Sequence, residues 1–139
     1  METLKISELS VGDWVRWKVY DKTYDICISQ ITDILVRGVH DGIEYGMKIT
    51  QLYPIPITAE ILEKNGWSSD GMYATLRIDE HRHLEYYFHE HRLRKYYCGV
   101  DEWQNHAKVN VITFAVHCYS VHQLQHALRL AGVDKEINL

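Results

Sequence analysis

The sequence predicts an α+β chain in which strands dominate: an N-terminal small SH3-like β-barrel, a short helix, an antiparallel β-sheet and a C-terminal helix. Three observations carry this. Apolar, β-branched and aromatic runs alternate with Gly- and Asp-containing turns at short intervals over residues 9–53. Two stretches, one mid-chain and one near the end, carry helix signals on both flanks. Between them the apolar pattern returns to period two. At 139 residues the chain supports two small subdomains, 1–56 and 57–139, sharing one core.

The barrel opens at Gly12-Asp13, a turn before Trp14, Val15 and Trp17. Asp25-Ile-Cys-Ile-Ser-Gln-Ile31 and Leu35-Val-Arg-Gly-Val39 continue it. Asp41-Gly42 between apolar runs is a strong hairpin signal, and Ile43 to Tyr53 completes the set. Pro54-Ile-Pro-Ile57 contains both prolines of the chain and ends the sheet. Thr58 then caps a helix over Ala59 to Asn65, with Ile57 and Leu62 at staple spacing and Gly66-Trp67 as the stop. Asp70-Gly71 opens the second β region. There Met72 to Ile78 alternates, and Leu84, Tyr86 and Phe88 form one strand face opposite His83, Glu85, Tyr87 and His89. Val109 to Cys118 makes a third strand or pair. The last helix begins at Ser120, with Gln123 completing a capping box and Tyr119 and Leu124 at staple spacing. It ends at Gly132, where Val133 meets Leu128.

The pieces Val11-Gly-Asp-Trp-Val15, Pro54-Ile-Pro-Ile-Thr-Ala-Glu-Ile-Leu-Glu-Lys-Asn-Gly-Trp67 and Val121-His-Gln-Leu-Gln125 resemble a family of small uncharacterised proteins of gut Bacteroides-type bacteria and their prophages. The resemblance covers both ends of the chain and the proline seam. It implies a shared fold and a phage or mobile-element setting, and it names no catalytic residue. Many of those proteins carry Asn where this chain has His126.

Composition narrows the chemistry. A hydrophobic fraction of 46% is that of a globular domain. No apolar run approaches the roughly 18 residues of a membrane span, and the first residues lack a signal-peptide core. Cys27, Cys98 and Cys118 are odd in number, lack C-x-x-C spacing and read as buried, reduced thiols. These features place the chain in the cytoplasm with no membrane partner. The net charge of −4 argues against general nucleic-acid binding. Residues 81–97 are the exception, with four cations against two anions and four histidines.

His122 and His126 share a helix face and can chelate one metal. The zincin pattern, however, requires an acidic base where Gln123 stands. A helical projection puts Val121, Leu124, Leu128 and Ala131 on the apolar face. His122, Gln125, His126 and Arg129 lie opposite, as a polar binding surface. In His81-Arg-His-Leu-Glu-Tyr-Tyr-Phe-His-Glu-His91, a fully extended chain aligns His81, His83, Glu85, Tyr87, His89 and His91. The alternative of a small metal-dependent hydrolase uses His89, His91 and Glu85 from this row. A hairpin loop over Glu80 to His83 breaks it. No catalytic residue and no cofactor is assigned. Ser120 is committed to a cap, no nucleophile or phosphate-loop motif occurs, and Asp101-Glu102 reads as a loop.

With ten Tyr, four Trp and two Phe, some rings lie outside the core. Beside Arg92, Arg94 and Lys95, the rings of Tyr96 and Tyr97 can stack bases or anchor a partner. The sequence thus favours a non-enzymatic binding or adaptor protein that contacts protein or nucleotide through an aromatic and basic surface. A protein partner or a homodimer through Tyr96-Tyr97 belongs to that reading. A further alternative is a nucleotide-sequestering protein with its ligand between barrel and sheet.

Overall fold

A computed structural model describes residues 2–101 and 107–139. The described elements are β1 (Trp14–Val19), β2 (Lys22–Ile31), β3 (Val36–His40), β4 (Ile43–Met47), β5 (Leu52–Tyr53), α1 (Ala59–Lys64), β6 (Ser68–Ser69), β7 (Tyr73–Arg77), β8 (Arg82–Tyr87), β9 (Arg92–Asp101), β10 (Ala107–His117) and α2 (Val121–Leu130). The fold is α+β, with two antiparallel sheets ordered β4-β3-β2-β1-β5 and β10-β9-β8-β7-β6. Among the described residues no ladder joins β4 to β5, so the first sheet is open at that seam.

Local chemistry explains most boundaries. Asp41 and Gly42 both take positive φ, 50° and 77°, as the two-residue turn between β3 and β4 requires. Thr58 Oγ1 accepts from the Ile61 N–H at 3.2 Å, which starts α1. The Trp67 N–H donates to the Leu62 carbonyl and the Gly66 N–H to Glu63, closing α1 by a Schellman pattern. Gly132 repeats the device at φ 73°, and the Val133 N–H reaches the Leu128 carbonyl at 2.9 Å.

The α2 start departs from the expected box. Ser120 is buried, and its Oγ lies 3.0 Å from His122 Nδ1 instead of accepting a helix N–H. The Gln123 side chain accepts from the Tyr119 N–H, one residue earlier than a capping box demands. The backbone supplies the missing order: Ser120 bridges Pro56, and the Val121 N–H donates to the Ile55 carbonyl at 2.8 Å. Tyr119 is exposed, so no staple to Leu124 forms.

The buried apolar residues form two clusters, with Trp14 of β1 packed against the second. The first sheet buries Val15, Ile26, Ile28, Val36, Met47 and Leu52 under Leu4 and Leu9. The second buries Ala74, Leu76, Leu84, Tyr86 and Leu93 against Leu62 of α1 and Val121, Leu124, Ala127 and Leu128 of α2. The Tyr86 hydroxyl donates to the buried Cys118 carbonyl at 2.7 Å, so its polar end is satisfied. Helices thus cover one face of the second sheet and leave the other open.

Gly38 sits where the first sheet is tightest. A Cβ there overlaps Ile26 Cγ2 and comes within 3.0 Å of Met47 Cε and 3.1 Å of the Cys27 carbonyl. Gly38→Ala is expected to destabilise the fold by about 2 kcal/mol through overpacking, read as a lower urea midpoint. An unchanged midpoint would show that this core yields.

Candidate functional site

The open face of the second sheet gathers side chains from four strands. Register places Tyr73, Tyr87, Arg92 and His117 in one row, Thr75, Glu85, Arg94 and Ala115 in the next, and Arg77, His83, Tyr96 and Ile112 in a third. Alternation along each strand explains the grouping, because Leu84, Tyr86 and Leu93 fill the opposite face.

Aromatic pairs organise these rows. Tyr73 and Tyr87 stack with centroids 5.4 Å apart at 26°. His83 and Tyr96 stack at 5.1 Å and 10°. The Arg94 guanidinium lies 4.8 Å from the Tyr87 ring centroid and 3.6 Å from Glu90. A bond with the Tyr96 side chain raises the Arg94 pKa further. Glu85 accepts from the Tyr87 hydroxyl and lies 3.4 Å from His83 Nε2. Burial, and secondly that bond, pushes the Tyr87 pKa up, so its phenol stays neutral. At the edge of this array, Gly71, Met72, Tyr73, Tyr87, Phe88, His89 and Glu90 line a groove of about 670 Å³.

The sequence-assigned surface divides. Arg92, Arg94 and Tyr96 are on the open face. Lys95 and Tyr97, as their neighbours in an extended chain, point to the other side. Lys95 Nζ donates to the Ala131 carbonyl at 2.7 Å, completing the α2 C-terminus. Tyr96 and Tyr97 lie within β9, an internal strand between β8 and β10, and not at a strand edge. Tyr73, His83, Glu85 and Tyr87 join the face through pairing of β7 with β8. The signal available in the sequence was the His83/Glu85/Tyr87 alternation.

The row from His81 to His91 breaks at both ends. His81 precedes β8, whereas His83 lies inside it. His89 and His91 belong to the turn before β9, where His91 has φ 51°, so neither continues the row of Glu85. Among the described residues no group of three His, Cys, Asp or Glu side chains is placed to hold a metal ion. Asp101, read from the sequence as loop, is the last residue of β9, and Glu102 lies outside the described residues.

The polar face of α2 packs on the entrance to β1, with His122 and Gln125 buried, His126 half-buried and Arg129 exposed at the rim. Gln125, 3% exposed, accepts from the Trp14 N–H and donates to the Gly12 carbonyl, each at 2.9 Å. His126 Nε2 lies 2.9 and 2.8 Å from the two oxygens of Asp13, which is fully buried. Asp13 also accepts from the Ser10 N–H at 2.8 Å and faces Arg129 at 4.0 Å. His122 is 2% exposed; its Nε2 has no hydrogen-bond partner and lies 4.0 Å from Glu8. His122, Gln125, His126 and Arg129 therefore join the two halves of the chain.

Of the cysteines, only Cys118 is buried, and burial pushes its thiol up to about 12; burial also raises Cys27. No helix among the described residues is long and apolar enough to cross a membrane. No protein-family model, curated protein or solved structure matches the chain.

Two outcomes follow for the α2 seam. Asp13→Ala is expected to cost about 3 kcal/mol, because it strips the partner of His126 and the acceptor of the Ser10 N–H; an unaltered urea midpoint would refute it. Burial lowers the His122 pKa from its ordinary 6.5, against opposing pulls from Asp13 and Glu8. The unfolded chain therefore binds this proton more readily. The His122 contribution is full above about pH 6.5 and is lost as the pH falls toward the lowered native value. Urea midpoints between neutral and mildly acid pH should fall more steeply for the parent than for His122→Gln, and equal slopes would contradict the assignment.

Proposed function

We propose that the chain is a non-enzymatic binding protein whose open second-sheet face takes a nucleotide-like ligand, a flat ring carrying phosphate. The observation that carries this reading is the continuity of the groove lined by Met72, Tyr73, Tyr87 and Phe88 with the guanidinium groups of Arg92 and Arg94. Apolar and aromatic walls accept a ring, and guanidinium groups pair with phosphate oxygens. Arg77, Arg92 and Arg94 stand on this face against Glu85, with Glu90 at its groove end 3.6 Å from Arg94, in a chain of net charge −4.

The clefts between the two halves suit such a ligand less well. One of about 560 Å³ has Trp14 and His40 in its wall but also Asp25 and Asp41, with no Arg or Lys. The other, of about 390 Å³, has Arg16 and Lys64 but no aromatic side chain, and Arg16 is already 3.3 Å from Asp25. The open face combines ring and cation in one place. His89 and His91 lie in the turn before β9 and do not continue the row of Glu85, which supports the binding reading over the hydrolase alternative.

The same proposal keeps the phage or mobile-element setting that the family resemblance implies. It also reads the first sheet as SH3-like, on its strand order and on the 3-10 turn Ile49–Gln51 that precedes β5. A protein partner or second copy seated at Tyr96-Tyr97 would meet only one of the two rings on either face.

Titration with adenosine 5′-monophosphate, followed by amide chemical shifts, tests the reading. Shifts should concentrate at residues 71–73, 87–90 and 92–94, with the nucleotide recovered intact. Arg94→Ala should weaken binding about tenfold. No perturbation of this face at millimolar nucleotide, or hydrolysis of the nucleotide, would overturn the proposal.

A further inference from the structure

The open face carries two ring platforms, and a mononucleotide can use only one. Tyr73 with Tyr87 forms the first, beside the groove. His83 with Tyr96 forms the second. His83 and Tyr87 are four residues apart on β8, so the platforms are separated by about 13 Å along the strand. Arg94 lies between them, cross-strand from Glu85 and in contact with both Tyr87 and Tyr96. Both platforms are half-buried and held by neighbours: the Tyr87 hydroxyl by Glu85, the Tyr87 ring between Tyr73 and the Arg94 guanidinium, which leaves the Tyr73 ring to receive a base, and His83 by Glu85.

We infer that the ligand of this face is single-stranded nucleic acid, with bases on both platforms, one nucleotide between them, and the intervening backbone phosphates over Arg94. The inference rests on the nucleotide reading above and extends it. Stacking is tolerant of base identity because every base offers a π-face, and a guanidinium placed between two stacked bases meets the backbone phosphates that run between them. The three guanidinium groups of Arg77, Arg92 and Arg94 outnumber the carboxylates of Glu85 and Glu90 beside them and leave the face net positive in an otherwise acidic chain. A duplex hides the flat faces of its bases, so this arrangement discriminates against it.

The test compares thymidine 5′-monophosphate, octathymidylate and a thymidine–adenosine duplex of the same length, by chemical-shift titration and by fluorescence anisotropy. Octathymidylate should bind at least about tenfold tighter than the monophosphate, more tightly than the duplex, and less tightly as salt is raised. Tyr96→Ala should collapse the ratio of octathymidylate to monophosphate affinity towards one, and Tyr96→Phe, which keeps the ring, should preserve it. Should Tyr96→Ala fail to fold, His83→Ala removes the other half of the same platform and should lower the ratio in the same way. Binding of the monophosphate with no gain for octathymidylate would overturn this inference and leave the nucleotide reading standing. Failure of both ligands would overturn both. Equal affinity for the duplex, or a ratio unmoved by Tyr96→Ala or His83→Ala, would show a purely electrostatic contact and refute the stacking.

Discussion

A carboxylate with no solvent contact holds the two halves of this protein together. Asp13 sits at the start of β1, closed off from water, and its oxygens receive the Ser10 N–H and the His126 ring, with Arg129 at the rim. A buried charge without such partners is strongly unfavourable, so its position dictates where α2 must lie. Gln125 adds a second constraint by answering both the Gly12 carbonyl and the Trp14 N–H, backbone groups that would otherwise face a side chain with nothing to offer. Once α2 is fixed in this way, its apolar side meets the second sheet, and α1 fills the remaining space. The sheet is then covered on one face only.

That one-sided cover shapes the candidate site. Residues that alternate out of the core emerge as a field of rings and charges, ordered by cross-strand pairing and not by any loop. Sheet positions are rigid, so ring pairs such as His83 with Tyr96 are set by the ladder before a ligand arrives. The groove at the 71–73 and 87–90 end departs from this flatness. There turn residues on both sides of the β7–β8 pair line a cavity of about 670 Å³.

Features decided within a few residues were legible in the sequence. The Asp41-Gly42 turn, the Thr58 cap, the Gly66 and Gly132 stops and the alternation of Leu84 and Tyr86 each depend on local backbone chemistry, and each appears where its residues demand. Features decided across the chain were not. The α2 projection separated apolar from polar positions correctly, but a polar face looks the same whether it meets water or the backbone of Gly12. His122 was therefore assigned to a surface although it is buried. Ser120 has the right identity for a cap, yet its hydroxyl has a nearer partner in His122, and the Pro56 bridge fixes the backbone instead. Lys95 looked like part of a basic patch beside Arg94. Strand alternation sends it the other way, to the end of α2.

The division into two cores has a consequence for the order in which structure forms. Within each sheet nearly every strand pairs with its neighbour in sequence, so these contacts close short loops and form at low entropic cost. The bonds from α2 to Gly12, Asp13 and Trp14 span 111 to 113 residues. They carry the longest loop closure described here, and they can form only after α2 exists and the β1 entrance has taken its shape. Each half has its own apolar interior, and the polar joint between Asp13 and His126, among the most distant in sequence, registers one half on the other.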